Sequence, residues 1–288
     1  MNEYIIFTDS SCDLSEEMIA QRGICSVPLS FRFNDDEKEY TDNKIPIKEF
    51  YDQMRRGSIA KTSAANVEAF VMGFENILKQ EKDILYIGFS SGLSTTFNSA
   101  RIAAQKLKNM YPKRRILLVD TLAASAGIAL LVDMVIEKKN SGATIDQAAE
   151  YAEKMKLKIC HWFTVDDLVY LKRGGRISEA VALVGNMLGI KPILHVDNNG
   201  HLINTEKVRG RKTSLLALAE KYGELYDDEA NKILYISHAD CPYEANELSK
   251  IIRQQYGAEI RLITNVGTVI GAHSGPGTIA IFFVGKHR

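Results

Sequence analysis

The sequence predicts an α/β protein of two domains, the first with a mainly parallel sheet and the second with a mixed sheet that includes a hairpin. In the first half, short β-branched or aromatic segments alternate with longer helical patterns, as in βαβ units. In the second half, two strand-like segments flank Asn199-Gly200, a dipeptide typical of antiparallel hairpins. The length of 288 residues suits two domains at about 150 residues each.

The first half begins with a strand at 4–8 and a helix at 14–21, which Asp13 and Glu16 would open as a capping box. A single strand at 24–33 follows, because apolar side chains recur at every second position from Val27 to Phe33. The other predicted elements of this half are helices at 47–56, 67–79, 96–109, 125–139 and 145–158, and strands at 84–89 and 116–120.

We place the domain boundary near Cys160, which gives domains 1–160 and 161–288. The second half is expected to contain a strand around Trp162 and a helical stretch that includes Gly174-Gly175. The other predicted elements are the hairpin strands at 193–197 and 201–208, helices at 214–226 and 244–256, and strands at 233–238, 259–264, 266–271 and 278–284.

Composition excludes several classes of protein. The 36 basic and 36 acidic side chains balance, which argues against a nucleic-acid partner. No signal peptide or membrane span is visible, and the four cysteines form no C-x-x-C pair, so we expect a reduced, cytoplasmic protein. The six histidines lack metal-site spacing, and no phosphate-binding loop or G-x-G-x-x-G motif occurs. We therefore expect neither a metal nor a nucleotide cofactor.

Hydroxyl side chains are concentrated where predicted strands end, in 8–11, 61–63, 90–96 and 120–125. Helix capping explains part of this pattern, because Ser, Thr and Asp are good N-caps. Five hydroxyls within 90–96 exceed what one cap needs. In an open α/β sheet, ligands bind beyond the carboxyl ends of the strands, so these loops would suit a carboxylate or a phosphate.

Gly88-Phe89-Ser90-Ser91-Gly92 matches the G-x-S-x-G nucleophile elbow and lies between a predicted strand and a predicted helix. With Asp120 and His273 following in order, a serine esterase or hydrolase is the alternative function. An elbow serine should lead directly into its helix, whereas residues 93–96 intervene here. A ligand-binding loop is therefore the preferred interpretation.

Three other segments have both a structural and a functional interpretation. The glycine-flanked His273 is either part of a tight turn or a donor presented to a ligand. The cations in 171–178 suit either a solvated helix end or an anionic head group or acidic partner. The apolar segment 180–190 is typical of buried core, but it could also line an apolar tunnel or touch a membrane.

Six segments in order resemble the DegV family of bacterial fatty-acid-binding proteins, over essentially the whole chain. No single segment is specific, but their order and spacing are. The segments are Phe7-Thr8-Asp9-Ser10-Ser11-Cys12-Asp13-Leu14, Lys61-Thr62-Ser63, Ser90-Ser91-Gly92-Leu93-Ser94, Asp120-Thr121, Leu171-Lys172-Arg173-Gly174-Gly175-Arg176-Ile177 and Gly271-Ala272-His273-Ser274-Gly275-Pro276-Gly277.

The resemblance implies a long-chain fatty acid buried between two α/β domains and no independent catalytic activity. It also implies a role as the acyl-carrying subunit of a fatty acid kinase, which presents the carboxyl group to a separate kinase subunit for acyl phosphate formation in phospholipid synthesis. Ligand exchange would involve transient contact with a membrane surface.

Transferred to this chain, the resemblance places Thr62 and Ser94 on the carboxylate, His273 beside it, and Arg173 at the acyl-phosphate head group or the kinase. The remaining hydroxyls expected at the carboxylate site are Ser63, Thr95, Thr96 and Ser274. The chain departs from the family pattern at Thr95, where glycine is usual, and at 64–66, where Ala-Ala-Asn replaces Gln-Pro-Ser. These departures predict a changed backbone approach to the ligand and a changed start of the helix at 67.

Overall fold

The computed structural model describes residues 3–42, 44–178, 189–227 and 232–288, which form three β-sheets and the helices packed on them. The strands are β1 Tyr4–Asp9, β2 Cys25–Val27, β3 Ser30–Phe33, β4 Tyr40–Thr41, β5 Ala60–Ser63, β6 Asp83–Gly88, β7 Ile116–Asp120, β8 Ile159–Thr164, β9 Ile190–Val196, β10 Leu202–Arg209, β11 Ile233–His238, β12 Glu259–Asn265 and β13 Ile279–Val284. Most of the apolar segment 180–190 lies outside the described residues.

Most α-helices of the described residues follow the predicted pattern, with ends that differ by a few positions; Thr268–Ser274 was predicted as a strand. The α-helices are Glu16–Gln21, Ile47–Arg55, Val67–Leu78, Thr96–Met110, Ala126–Asn140, Ile145–Met155, Val169–Arg173, Arg211–Leu225, Pro242–Tyr256 and Thr268–Ser274. In the part of the chain that the structure describes, no helix combines the length and the apolar character that crossing a membrane requires.

The N-terminal sheet is parallel throughout, in the strand order β2-β1-β6-β7. This arrangement confirms the βαβ interpretation of the first half. Every residue of β6 is buried, as expected for a central strand covered on both faces. The loops that leave the carboxyl ends of β1, β6 and β7 lie along one edge of the sheet, where α/β proteins bind their ligands.

The C-terminal sheet is mixed, in the strand order β10-β9-β8-β13-β11-β12. Only β11 and β12 pair in parallel, and the remaining neighbours are antiparallel. β9 and β10 form the predicted hairpin, whose turn contains Asn199 and Gly200. Both the mixed character of this sheet and its hairpin are therefore confirmed.

The prediction of one strand at 24–33 is wrong, because the chain changes sheet at Pro28. β2 pairs with β1 in the parallel sheet, whereas β3 pairs with β4 and β5 in a separate three-stranded antiparallel sheet. Proline lacks the N–H that a continuous ladder requires. The alternation still identified buried side chains, since Val27, Leu29, Phe31 and Phe33 are all buried.

The predicted capping box is also wrong. The first helix begins at Glu16, and its N-cap is Ser15, whose hydroxyl accepts a hydrogen bond from the Met18 N–H. Asp13 instead has a left-handed backbone (φ 57°) and a buried carboxylate. That carboxylate is engaged by residues distant in sequence, so it is not free to cap the helix.

Two elements near the predicted site differ from expectation. The segment 266–271, predicted as a strand, leads into the helix Thr268–Ser274, so His273 lies in the last turn of a helix and not in a glycine turn. A short apolar run does not distinguish a strand from a buried helix. The helix expected to include Gly174-Gly175 ends at Arg173, and Gly175 then takes a positive φ of 72°.

The largest core cluster contains residues from both halves of the chain. Side chains of the N-terminal sheet, such as Phe7 and Ile87, belong to the same cluster as Phe163 and Phe282 on one face of the C-terminal sheet. The opposite face of that sheet packs in a second cluster with residues of the helices Arg211–Leu225 and Pro242–Tyr256. The inner face of the C-terminal sheet therefore forms one wall of the space between the halves.

Candidate functional site

A cavity of about 920 Å³ lies between the two halves of the chain. Small-molecule sites typically occupy about 300–1,000 Å³, so this cavity can take a large ligand. One part of its wall is apolar and comes from the inner face of the C-terminal sheet, including Phe163, Ala280 and Phe282. Another part carries hydroxyls, an imidazole and guanidinium groups. The cavity thus offers both an apolar and a polar environment to one ligand.

Thr62 and His273 form the centre of the polar part. Thr62 Oγ1 and His273 Nε2 are 2.8 Å apart and hydrogen-bonded, although the residues are 211 positions apart in sequence. Both line the cavity. Ser63 follows Thr62 on β5 and is exposed, because successive side chains of a strand point to opposite faces. The strand therefore directs Thr62 inward and keeps Ser63 out of the cavity lining.

Gly174 makes room for the imidazole. A Cβ on Gly174 would lie less than 3.0 Å from His273 Nδ1, a separation that real Cβ atoms essentially never show. Nδ1 is buried and has no hydrogen-bond partner among the described residues. The ring is consequently fixed from two sides, by the Thr62 hydroxyl at Nε2 and by the Gly174 backbone near Nδ1.

Burial, reinforced by the Arg176 guanidinium, lowers the pKa of His273 to about 4. The imidazole is therefore neutral at pH 7 and carries one donor and one acceptor nitrogen. Arg176 lines the same cavity, and its Nε and Nη2 donate to the Leu93 carbonyl at 3.1 and 3.0 Å. Arg176 thereby attaches the segment after the Val169–Arg173 helix to the loop after β6.

That loop supplies Ser94 and Thr95, which both line the cavity. Ser94 Oγ accepts from the Thr96 N–H at 3.2 Å and shares a hydrogen bond with Thr96 Oγ1 at 2.9 Å. Thr96 is fully buried and is absent from the lining. These residues open the 15-residue helix Thr96–Met110, and a helix N-terminus favours an anion through its free N–H groups and its dipole.

The two departures from the family pattern are accommodated locally. Thr95 has φ −77°, a conformation open to any residue, so glycine is not required at this position. Asn66 caps the helix Val67–Leu78, and its Oδ1 accepts from the Ala69 N–H at 2.8 Å. The start of this helix is therefore well formed without the usual Gln-Pro-Ser.

Residues of the N-terminal half hold the helix Thr268–Ser274 in place. The Gly267 N–H donates to Asp13 Oδ1 at 3.0 Å, and Asp42 Oδ1 accepts from Thr268 Oγ1 at 2.6 Å and from the Val269 N–H at 3.2 Å. Burial raises the pKa of both carboxyl groups. The two carboxyl groups accept hydrogen bonds from the first backbone N–H groups of the helix, which have no partner within it, so they fix the helix that carries His273.

Ser274 and Arg173 complete the set of predicted residues. Ser274 lines the cavity from the same helix as His273, and its buried Oγ has no hydrogen-bond partner among the described residues. Arg173 lines the cavity but is exposed, and its guanidinium lies over the Tyr170 ring at 5.7 Å from the ring centre. Of the predicted site residues, Ser63 and Thr96 alone do not line the cavity.

The residues of the predicted hydrolase triad make other contacts. Ser90 is fully buried, and its Oγ donates to the Gly200 carbonyl at 3.0 Å and accepts from the Gly92 N–H at 3.1 Å. Asp120 Oδ1 accepts from backbone N–H groups, and His273 is paired with Thr62. This geometry gives the esterase alternative no support.

Comparisons with known proteins show the family to which the chain belongs. A family model described as "Uncharacterised protein, DegV family" matches residues 4–286. The chain belongs to the DegV family. A DegV domain-containing protein of Clostridium perfringens is 42% identical over 291 residues, covering 100% of this chain and 99% of the relative. A fatty acid-binding protein of Thermotoga maritima is 36% identical over 281 residues, covering 95% of each chain.

A solved structure of another protein shares the fold. The stearic acid-binding protein of Eubacterium ventriosum superposes with a TM-score of 0.88 at 27% identity, covering 98% of each chain. Two of these relatives are thus described as binding a fatty acid. Among the residues that the structure describes, this DegV protein has no group of three or more His, Cys, Asp or Glu side chains suited to a metal ion.

Proposed function

We propose that this DegV protein binds one long-chain fatty acid in the cavity between its two α/β domains, 1–160 and 161–288. The observation that carries the proposal is the cavity itself, whose volume of about 920 Å³ combines apolar walls with a cluster of hydroxyl, imidazole and guanidinium groups. A fatty acid has the same division, with an apolar tail and a single charged head. The family membership and the fatty-acid-binding relatives support the same ligand class.

The tail would supply most of the affinity. Burying about fourteen methylene groups at about 0.8 kcal/mol each contributes on the order of 11 kcal/mol before the costs of ordering the chain and of association. Polar contacts at the head would then select for a carboxylate and fix its position.

The carboxylate would be held through a short chain of hydrogen bonds. If His273 Nε2 carries the proton of the neutral ring, it donates to Thr62 Oγ1 and leaves the Thr62 hydroxyl free to donate to the carboxylate. The Ser94 hydroxyl and the N-terminus of the helix Thr96–Met110 would supply further donors. Arg176 would add a positive charge beside His273 without contributing a proton.

We further propose that the protein does not act on the ligand itself. It would present the carboxyl group to a separate fatty acid kinase, which forms acyl phosphate for phospholipid synthesis in the cytoplasm, and it would exchange ligand by transient contact with a membrane surface. Arg173 supports this role because it is exposed at the cavity, where a second protein or a phosphoryl group can reach it. Cations stabilise the charge that develops in phosphoryl transfer.

The decisive experiment is mass spectrometry of the small molecules that co-purify with the protein under native conditions. We expect a stoichiometric long-chain fatty acid. If denaturation releases no fatty acid, and if added palmitate and stearate do not bind, the proposed function is wrong.

The kinase role is tested by Arg173→Ala, with Arg253→Ala on the outer helix Pro242–Tyr256 as a matched control. A reaction with ATP and the fatty acid kinase subunit measures acyl phosphate. Arg173→Ala should keep its fatty acid content and lose most of the acyl phosphate formation, whereas the control should keep both. Loss of fatty acid in Arg173→Ala would assign this arginine to ligand binding instead.

A further inference from the structure

Ser90 shapes the loop that brings Ser94 to the cavity. It is the serine of the G-x-S-x-G match after β6, and the proposed function gives it no role. Its backbone carbonyl accepts hydrogen bonds from the N–H groups of Leu93 and Ser94, both at 3.1 Å. Its Oγ accepts a further bond from the Gly92 N–H, also at 3.1 Å. The position of Ser94 therefore depends on the position of Ser90.

The Ser90 hydroxyl joins this loop to the hairpin of the C-terminal sheet. Ser90 Oγ donates to the Gly200 carbonyl at 3.0 Å, although the residues are 110 positions apart in sequence. A hydroxyl has one proton, so this bond leaves Ser90 no donor for a ligand. In the loop 89–95, every residue except Ser90 lines the cavity. Ser90 can therefore influence the ligand only through its neighbours.

The hairpin turn approaches the loop so closely that side chains are excluded on both sides. A Cβ on Gly92 would lie less than 3.0 Å from the Asn199 carbonyl oxygen, and a Cβ on Gly200 would lie less than 3.0 Å from Ser90 Oγ. Gly200 also has φ 76°, a conformation that favours glycine. Asn199-Gly200 thus forms a contact between the two halves of the chain, in addition to closing the hairpin.

Arg288 fixes the same turn to the N-terminal half. Its Nη1 donates to the Leu122 carbonyl at 2.7 Å and to the Asp197 carbonyl at 3.2 Å. Leu122 belongs to the loop after β7, and Asp197 begins the turn after β9. Burial lowers the pKa of Arg288 to about 10, so the guanidinium is still charged at pH 7. The turn is consequently a fixed support to which the loop 89–95 can be attached.

We propose that Ser90 is a positioning residue of the carboxylate site, which holds the Ser94 hydroxyl at the ligand head by attaching the loop 89–95 to the hairpin turn. The proposal rests on the proposed function, because Ser94 must first contact the carboxylate. It extends that function by giving a contact between the halves a part in head-group selection. The alternative is that Ser90 only stabilises the fold, which would leave the choice of head group unchanged.

The test compares palmitate with 1-hexadecanol, an alcohol of the same chain length with a neutral head. Both ligands can make the same tail contacts, so the ratio of their dissociation constants measures recognition of the carboxylate. The parent protein should bind palmitate about ten- to a hundredfold more tightly, the range for one hydrogen bond to a charged group. Ser90→Ala should reduce this preference by about fivefold or more, through weaker binding of palmitate and unchanged binding of 1-hexadecanol.

A second variant and two controls assign the effect to the hairpin contact. Gly200→Ala keeps the Ser90 hydroxyl but places a methyl group against it, so it should also reduce the preference. Its control is Gly257→Ala, where φ is 69° and an added Cβ meets no atom within 4 Å. The control for Ser90→Ala is Ser249→Ala, since this buried hydroxyl donates to the Asn246 carbonyl at 2.7 Å inside an outer helix. Both controls should keep the parent ratio.

The outcomes separate the two proposals. If Ser90→Ala weakens both ligands equally or neither of them, the positioning role is wrong and the proposed function stands. A reduced ratio in Ser249→Ala would also overturn the role, because the effect would not depend on the hairpin contact. If the parent does not bind palmitate, the proposed function fails and the role of Ser90 fails with it. If Ser90→Ala does not fold, the ratio in Gly200→Ala decides the question.

Discussion

Gly174→Ala should weaken fatty acid binding without touching the ligand itself. Gly174 has φ −73°, which suits alanine, so the substitution introduces no backbone strain. The added methyl group would lie less than 3.0 Å from His273 Nδ1, while Thr62 holds Nε2 on the other side at 2.8 Å. The ring cannot keep its place, and the contact between Thr62 and His273 is lost.

The size of the effect follows from the hydrogen bond that depends on this contact. A hydrogen bond to a charged group contributes about 1.5–3 kcal/mol, and each 1.4 kcal/mol corresponds to a tenfold change in affinity. The dissociation constant for palmitate should therefore rise about ten- to a hundredfold. The tail contacts remain, so binding is weakened and not abolished.

Gly175→Ala is the matched control. Gly175 has φ 72°, and an added Cβ would meet no atom within 4 Å. Alanine there costs about 1–2 kcal/mol of stability through left-handed backbone strain but leaves His273 in place. Displacement of a fluorescent fatty acid measures affinity, and thermal unfolding measures stability. If Gly174→Ala binds palmitate as the parent does, His273 is not part of the carboxylate site.

Three further predictions concern the same region. Ser94→Ala should weaken palmitate binding about ten- to a hundredfold, measured by displacement; unchanged affinity with a loss of about 1 kcal/mol in stability would make Ser94 only a helix cap. In the ligand-free protein, the unfolded state binds more protons than the folded state between pH 6.5 and pH 4, because the pKa of folded His273 is about 4. The free energy of unfolding should therefore decrease as the pH is lowered from 6.5 to 4, by about 3 kcal/mol at most from His273. His273→Gln should flatten this dependence, measured by urea unfolding. A fluorophosphonate should not label Ser90, whose hydroxyl is buried against the Gly200 carbonyl; labelling accompanied by ester turnover would revive the hydrolase alternative.

The fold class was predictable because its signals are local. Alternation of strand-like and helical segments indicated the parallel sheet, and Asn199-Gly200 indicated the hairpin. The errors arose where a distant contact decides the local structure. The chain leaves the first strand at Pro28, and the next strand pairs with residues 60–63 in another sheet. No short-range sequence pattern indicates this pairing. The helix Thr268–Ser274 likewise depends on carboxylates more than 200 positions away.

The candidate site was predictable in part for the same reason. The hydroxyl-rich loop after β6 identified Ser94 and Thr95 as cavity residues, because the ends of parallel strands meet at one edge. Thr62 also lines the cavity, but it lies on β5 of the small antiparallel sheet, so this rule does not explain its position. The pairing of Thr62 with His273 could not be derived, since it joins a strand of the small sheet to a helix that was predicted as a strand. Among the clustered cations, the sequence does not distinguish Arg173, which is exposed, from Arg176, which lies beside His273.

The alternation of side chains along β8 predicts which residues share a face of the strand, but not which face lines the cavity. Alternation along β8 places His161 and Phe163 on one face and Trp162 on the other. The alternation alone does not show which of the two faces lines the cavity. Pairing with β13 decides it, because Phe282 and Ala280 lie beside His161 and Phe163 and turn the same face toward the cavity. The sequence also does not show that Gly127 packs against the His161 ring, where a Cβ would lie less than 3.0 Å from Nε2.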